Sequence, residues 1–166
     1  MQGYAKNTVS DLVKVQSGTV TTASTFTISS LTAGAKYKLV FTYLQNTATG
    51  ILRMQVNGDT GGNYNWSVGA YTGGDTNVNT TYANMVEGGG YVGIGFYGHL
   101  NVEFSSAYGN NQRLFWSGSA YSEYSAANVY SHVIAGKYNG SAAISSITLF
   151  PTGGTVTGTW TLYQLS

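Results

Sequence analysis

Cysteine is absent from the 166 residues, which excludes disulfides and thiolate metal sites and leaves the redox compartment open. Charge is scarce: 8% of residues are ionic, against roughly 25% in an average soluble domain. The seven Lys/Arg and six Asp/Glu sum to a net charge of +1 and form no run of either sign. Release of counterions from a phosphate backbone needs clustered Lys/Arg, so no nucleic-acid partner is expected. No stretch approaches the ~18 apolar residues of a membrane span, and no membrane insertion is expected. The opening MQGYAKNTVSDLVKVQ has neither an apolar h-region nor a small-residue cleavage site. An extracellular role would then require a signal already removed, or release by cell lysis. Proline occurs once, no linker or internal repeat is visible, and no segment sustains helical spacing with caps.

What is present is β-forming and neutral. Hydrophobic residues make up 42%, with 23 Gly and 14 Tyr, which is not the charge-rich, aromatic-poor composition of a disordered chain. A chain of 17.6 kDa fits one domain that can bury a core unaided. Residues Met1–Ser10 read as an arm or lead-in strand, and residues 11–166 as a single β-sandwich domain. Strands are expected at Asp11–Gln16, Thr19–Ser29, Tyr37–Leu44, Ile51–Val56, Tyr64–Val68 and Tyr91–Phe104, the last with the cleanest period-2 alternation and fitting either one long strand or two around Gly98. Further strands fall at Gln112–Trp116, Val129–Lys137, Ile144–Phe150 and Thr155–Leu165. Asn57-Gly58 is a hairpin signal, because both residues of a type I′ turn need φ > 0. Pro151-Thr-Gly-Gly154 likewise reads as the turn of a C-terminal hairpin. The long Gly69–Gly90 stretch reads as loop with a short Tyr82–Val86 piece, and Ser117–Asn128 as a Ser/Tyr-rich loop. Leu31-x-x-Gly34-x-x-Tyr37 has the spacing of a corner at which Leu and Tyr pack between two sheets. The sum is an all-β, antiparallel, jelly-roll-like sandwich of about nine or ten strands with little or no helix.

Catalytic and cofactor motifs fail on their mechanics. Gly93-Ile-Gly95-Phe-Tyr-Gly98 matches the dinucleotide fingerprint, but that motif must open a helix, and a strand follows here. His99 and Glu103 share one strand face about 13 Å apart, too far for direct proton transfer, and His132 sits in an apolar strand as a core or interface residue. Asp75-x-Asn77-x-Asn79 has the alternate oxygens of a calcium loop, yet Thr80 stands where the turn wants Gly and Val86 where a bidentate Glu belongs. Those three residues are the sole metal candidate. No cofactor and no enzymatic activity are expected.

Aromatic residues are the better lead. Tyr108, Tyr121 and Tyr124, with Asn110, Asn111 and Arg113, supply flat apolar faces and amide or guanidinium donors suited to a glycan or a protein partner. Two of Trp66, Trp116 and Trp160 are expected in the core. In the last run Val156, Trp160 and Leu162 should be buried, and the alternating Thr155, Thr157, Thr159 and Thr161, with no charge to block an edge, should either face solvent or lie against a neighbouring subunit, the second being favoured.

The C-terminal pattern Ile147-Thr-Leu149-Phe150-(x)2-Gly153-Gly154-(x)3-Gly158-Thr-(x)2-Leu162-Tyr163 resembles the terminal strand pair of small β-sandwich domains in tailed-bacteriophage virion proteins, in tail fibres and tail tips. Gln164 departs from the glycine usual there. The resemblance covers about a quarter of the chain and implies a virion structural protein, commonly a homotrimer, in contact with other virion proteins, assembled in the host cytoplasm and extracellular after lysis. The expected function is tail-associated or receptor-binding, engaging a host-surface glycan or protein through loops. The alternatives are a capsid decoration or head-fibre protein and a carbohydrate-binding module of a secreted enzyme.

Overall fold

The structure is a computed structural model that describes residues 11–48, 50–70, 73–85, 97–106, 114–125 and 128–165. At 43–46, 70, 73–76, 97, 106, 115, 121–125 and 128–130 the description is of the backbone. The expected arm at 1–10 lies outside the described residues.

Among the described residues twelve strands run in chain order: β1 (Leu12–Ala23), β2 (Phe26–Ile28), β3 (Lys36–Asn46), β4 (Leu52–Val56), β5 (Tyr64–Ala70), β6 (Gly73–Thr80), β7 (Ala83–Asn84), β8 (Tyr97–Ser106), β9 (Leu114–Ser125), β10 (Asn128–Tyr138), β11 (Ile147–Pro151) and β12 (Val156–Leu165). They form an eight-stranded sheet ordered β1-β12-β3-β8-β9-β10-β5-β6 and a four-stranded sheet ordered β2-β11-β4-β7. Every pairing is antiparallel, and the described residues contain no helix. The architecture is therefore an all-β antiparallel sandwich, as the alternating pattern predicts.

Its topology has a simple logic. With β5, β6, β9 and β10 set aside, the remaining eight strands fall into two quartets, β1-β12-β3-β8 and β2-β11-β4-β7. Successive strands of this set alternate between sheets except at β4 and β7, which stay together in the small sheet, and this is the double Greek key of a jelly roll. The other four strands are two insertions, β5–β6 between β4 and β7 and β9–β10 between β8 and β11. Both join the β8 edge of the large sheet and double its width.

This organisation corrects three expectations. The C-terminal segment is not a hairpin: β11 pairs with β2 and β4, and β12 pairs with β1 and β3, so Pro151–Gly154 turns the chain from one sheet to the other. The Asn57-Gly58 turn forms with the expected positive φ at both residues, 53° and 67°, but it too leads from the small sheet to the large one. Residues 69–90 are not all loop, since β6 and β7 occupy Gly73–Thr80 and Ala83–Asn84. The Leu31–Tyr37 corner behaves as its spacing predicts: both side chains are buried, and the Thr32 N–H donates to the Tyr37 hydroxyl at 2.9 Å between β2 and β3.

One buried cluster draws on both sheets. Leu39 and Phe41 from β3, Leu100, Val102 and Phe104 from β8, and Ile134 from β10 meet Ile28, Met54, Ile147 and Leu149 of the small sheet. Trp66 and Trp116 are core residues, whereas Trp160 is partly buried beside Phe26, ring centroids 5.9 Å apart. Val156 and Leu162 are buried as expected. The threonine face of β12 is not an edge. Thr159 and Thr155 exchange hydroxyl hydrogen bonds with Thr42 and Thr47 at 2.7 and 2.9 Å, and Thr157 accepts the Thr22 N–H at 3.0 Å.

Candidate functional site

The residues expected to make the site divide. Tyr108, Asn110, Asn111 and Arg113 lie outside the described residues. Tyr121 and Tyr124 are not in a loop: β9 runs through both, with Tyr121 paired to β8 on one side and β10 on the other, and Tyr124 at the irregular end of the pairing with β10. In register Tyr121 stands between His99 and Ser131. Asp75 and Asn77 lie along β6, with Asn79 at φ 54° near its end. A strand sets alternate residues about 6.6 Å apart instead of wrapping them round an ion, and the Asn79 N–H is taken by the Asn65 side-chain carbonyl at 2.9 Å. Among the described residues no group of three or more His, Cys, Asp or Glu could hold a metal ion.

The two histidines occupy opposite faces of the large sheet. His132 is buried on the inner face, in register with Ala120 and Ala70, and burial holds its pKa below the usual value. His99 is on the outer face with Asn101 and Glu103, along the unbroken β8. Glu103 turns instead to the next strand, where its Oε1 lies 3.4 Å from Lys38 Nζ.

Two polar clusters stand elsewhere. At the β4–β5 corner Asp59 accepts hydrogen bonds from the Gly61 N–H at 2.6 Å, from Asn63 at 2.7 Å and from the Tyr138 hydroxyl at 2.7 Å. The Tyr138 hydrogen bond above all holds the Asp59 carboxyl below its ordinary pKa. Burial pushes Tyr138 up and Tyr64 up to about 12. The Tyr64 hydroxyl accepts from the Val56 N–H and donates to the Asp59 carbonyl, both at 2.9 Å. Every polar group here is spent on backbone or a neighbour, so the cluster is a structural knot. On the small sheet the Arg53 guanidinium stacks 3.7 Å over the Tyr82 ring, opposite Asn84 on β7. Arg53 Nε and Asn84 Oδ1 find no hydrogen-bond partner among the described residues, and both atoms are closed to solvent.

The open feature is a trough across the outer face of the large sheet, which composition and motif reading did not reveal. One part of it, a hollow of about 520 Å³, is lined by Lys36, Glu103, Ser105, Ser117, Ala135 and Leu165 among others. A smaller hollow of about 240 Å³ adjoins it through Glu103 and Ser117 and adds Lys38, Asn101 and Ser119. On the other side a third, of about 350 Å³, shares Ala135 and reaches Asn65, Ser67, Val78 and Lys137. The floor follows from register: Lys38, Glu103, Ser117, Ala135 and Ser67 stand opposite one another on β3, β8, β9, β10 and β5. Small side chains on the middle strands, flanked by long ones, leave a channel running across the strands. Ser and Ala in a strand carry no motif, and only the pairing order aligns them. Comparison with known proteins finds no matching family model, curated protein or solved structure.

Proposed function

We propose that the protein is a bacteriophage virion structural protein, tail-associated and receptor-binding, that contacts a host-surface glycan without catalysing a reaction. The observation that carries this reading is the widened sheet: two inserted strand pairs extend one jelly-roll sheet to eight strands and add nothing to the opposite sheet. Such an insertion enlarges an outward face, and that face holds the trough. Its lining combines apolar floor with hydroxyl and amide groups, the mixture that suits a sugar's C–H face and its hydroxyls. The C-terminal resemblance to phage β-sandwich domains supports the virion setting, and Tyr121, in register beside His99, adds an aromatic residue to the same sheet. A jelly roll hosts many functions, so the fold alone carries none of this.

In that setting the protein assembles as a homo-oligomer, a trimer in the phage domains it resembles, and meets other virion proteins. The deciding experiment is immunogold or cryo-electron imaging of the assembled particle. Label at the tail tip or fibre supports the receptor-binding reading. Regular copies on the capsid surface would replace it with a decoration or head-fibre role, and absence from particles would end it. In the same system, Tyr121→Ala with Tyr124→Ala should reduce host adsorption; unchanged adsorption would remove these two residues from the contact.

A further inference from the structure

The basic residues are unevenly placed. Lys36 and Lys38 on β3 and Lys137 on β10 all line the trough, and the acidic lining residue among those described is Glu103, itself 3.4 Å from Lys38. A protein of net charge +1 therefore presents local positive charge along one channel. Lys36 and Lys137 stand in the same cross-strand row, through Ser105 on β8 and Phe115 on β9. Three strand spacings separate them, about 14 Å. Lys36 is exposed and Lys137 half-buried, so both ammonium groups can reach outward from stems that start at the channel wall.

From this juxtaposition we infer that the trough binds an acidic glycan chain, lying across the strands with sugar rings on the Ser117–Ala135 floor and anionic groups near Lys36 and Lys137. The inference rests on the glycan-contact reading above and specifies its ligand class and place. A neutral chain could accept hydrogen bonds from the lysines but would gain no charge attraction from them. A nucleic acid would need many more cations than three for useful counterion release. The five spacings from β3 to β6 span about 24 Å, long enough for several sugar units, so affinity should grow with chain length until the channel is filled.

The test is direct binding by isothermal titration at low and high salt, using purified protein with three probes: oligogalacturonate (carboxylate), poly(glycerol phosphate) (phosphate) and maltodecaose (neutral). Binding of either acidic probe, weakened by salt and absent with maltodecaose, is expected; the two acidic probes distinguish the source of the anion. Lys36→Ser combined with Lys137→Ser should weaken the acidic probe by about tenfold. Ala135→Trp, which fills the floor from an exposed position, should abolish binding with the melting temperature kept. If Ala135→Trp does not fold, the lysine pair decides. Equal affinity for maltodecaose, an unaffected lysine variant, tighter binding of duplex DNA, or no binding of either acidic probe would each overturn the inference. The particle imaging is independent. A tail location without acidic-glycan binding sinks this inference alone, and binding by a protein absent from virions sinks the virion reading alone.

Discussion

Asp59 ties together pieces of chain that the two sheets would otherwise leave apart. Its carboxylate holds Gly61 and Asn63 in the connection leading to β5 and reaches Tyr138 at the end of β10. Tyr138→Phe keeps the buried ring and removes one charge-assisted donor, so a loss of about 1–2 kcal/mol is expected in urea unfolding; an unchanged midpoint would deny the bond any weight. Two titrations should then be separable. Burial lowers the His132 pKa, so the unfolded chain binds the proton more readily than the folded one. Stability is full above about pH 6.5, the unfolded value, and falls as pH drops below it. His132→Met should flatten that fall, and a slope unaltered by the substitution would assign it to another group. Asp59 is also depressed, and as an acid its contribution persists down to about pH 3.9 before protonation removes it. The acid limb should therefore survive in the His132 variant.

Strands β8 and β9 approach so closely at Gly118 that a Cβ there would strike the Asn101 carbonyl oxygen and come within 2.8 Å of Val102 Cα. Backbone cannot yield as a side-chain tip does, so Gly118→Ala should cost about 1–3 kcal/mol by overpacking. Gly69→Ala is the control: its nearest obstacle is 4.0 Å away, and its effect should stay within about 0.5 kcal/mol. Equal losses in the two variants would contradict this account. The same strands mark the limit of what sequence discloses. β8 was legible because Leu100, Val102 and Phe104 alternate with His99, Asn101 and Glu103, one dry face and one wet. The Ser117–Ser125 part of β9 reads as loop because its residues are Ser, Gly, Ala, Tyr and Glu; pairing on both sides holds it as a strand. β6, rich in Gly, Thr and Asn, is kept in place by β5. Turn composition at Pro151–Gly154 reports that the chain reverses, not which sheet receives it, so the jelly-roll crossing looked like a hairpin. The trough was hidden for the same reason: Ser117, Ala135 and Ser67 become a floor only once β9, β10 and β5 are neighbours.

At the scale of the whole molecule the wide sheet has two ends, and the described residues give β1 a partner on one side only, β12. β1 is 12 residues long and carries exposed Leu12, Val13 and Val15, the valines 55% and 41% accessible. Among its residues Lys14 is the one charge. A long, weakly charged edge with apolar side chains is a template for pairing with another chain, and if the proposed homo-oligomer forms, this edge is its natural subunit contact. Lysine on an edge strand opposes such pairing without disturbing the strand's own bonds to β12. Val13→Lys combined with Val15→Lys should therefore convert the assembly to a 17.6 kDa monomer in light scattering, with the β-sheet circular dichroism signal and melting of the trough-bearing domain retained. Persistence of the oligomer in the double variant would move the contact to another surface, and a monomeric parent protein would remove the oligomer itself. If the proposed glycan contact and oligomer both hold, a monomeric variant should keep its affinity per chain for the acidic probe and lose avidity for host cells, which would assign recognition to the trough and its multiplication to the β1 edge.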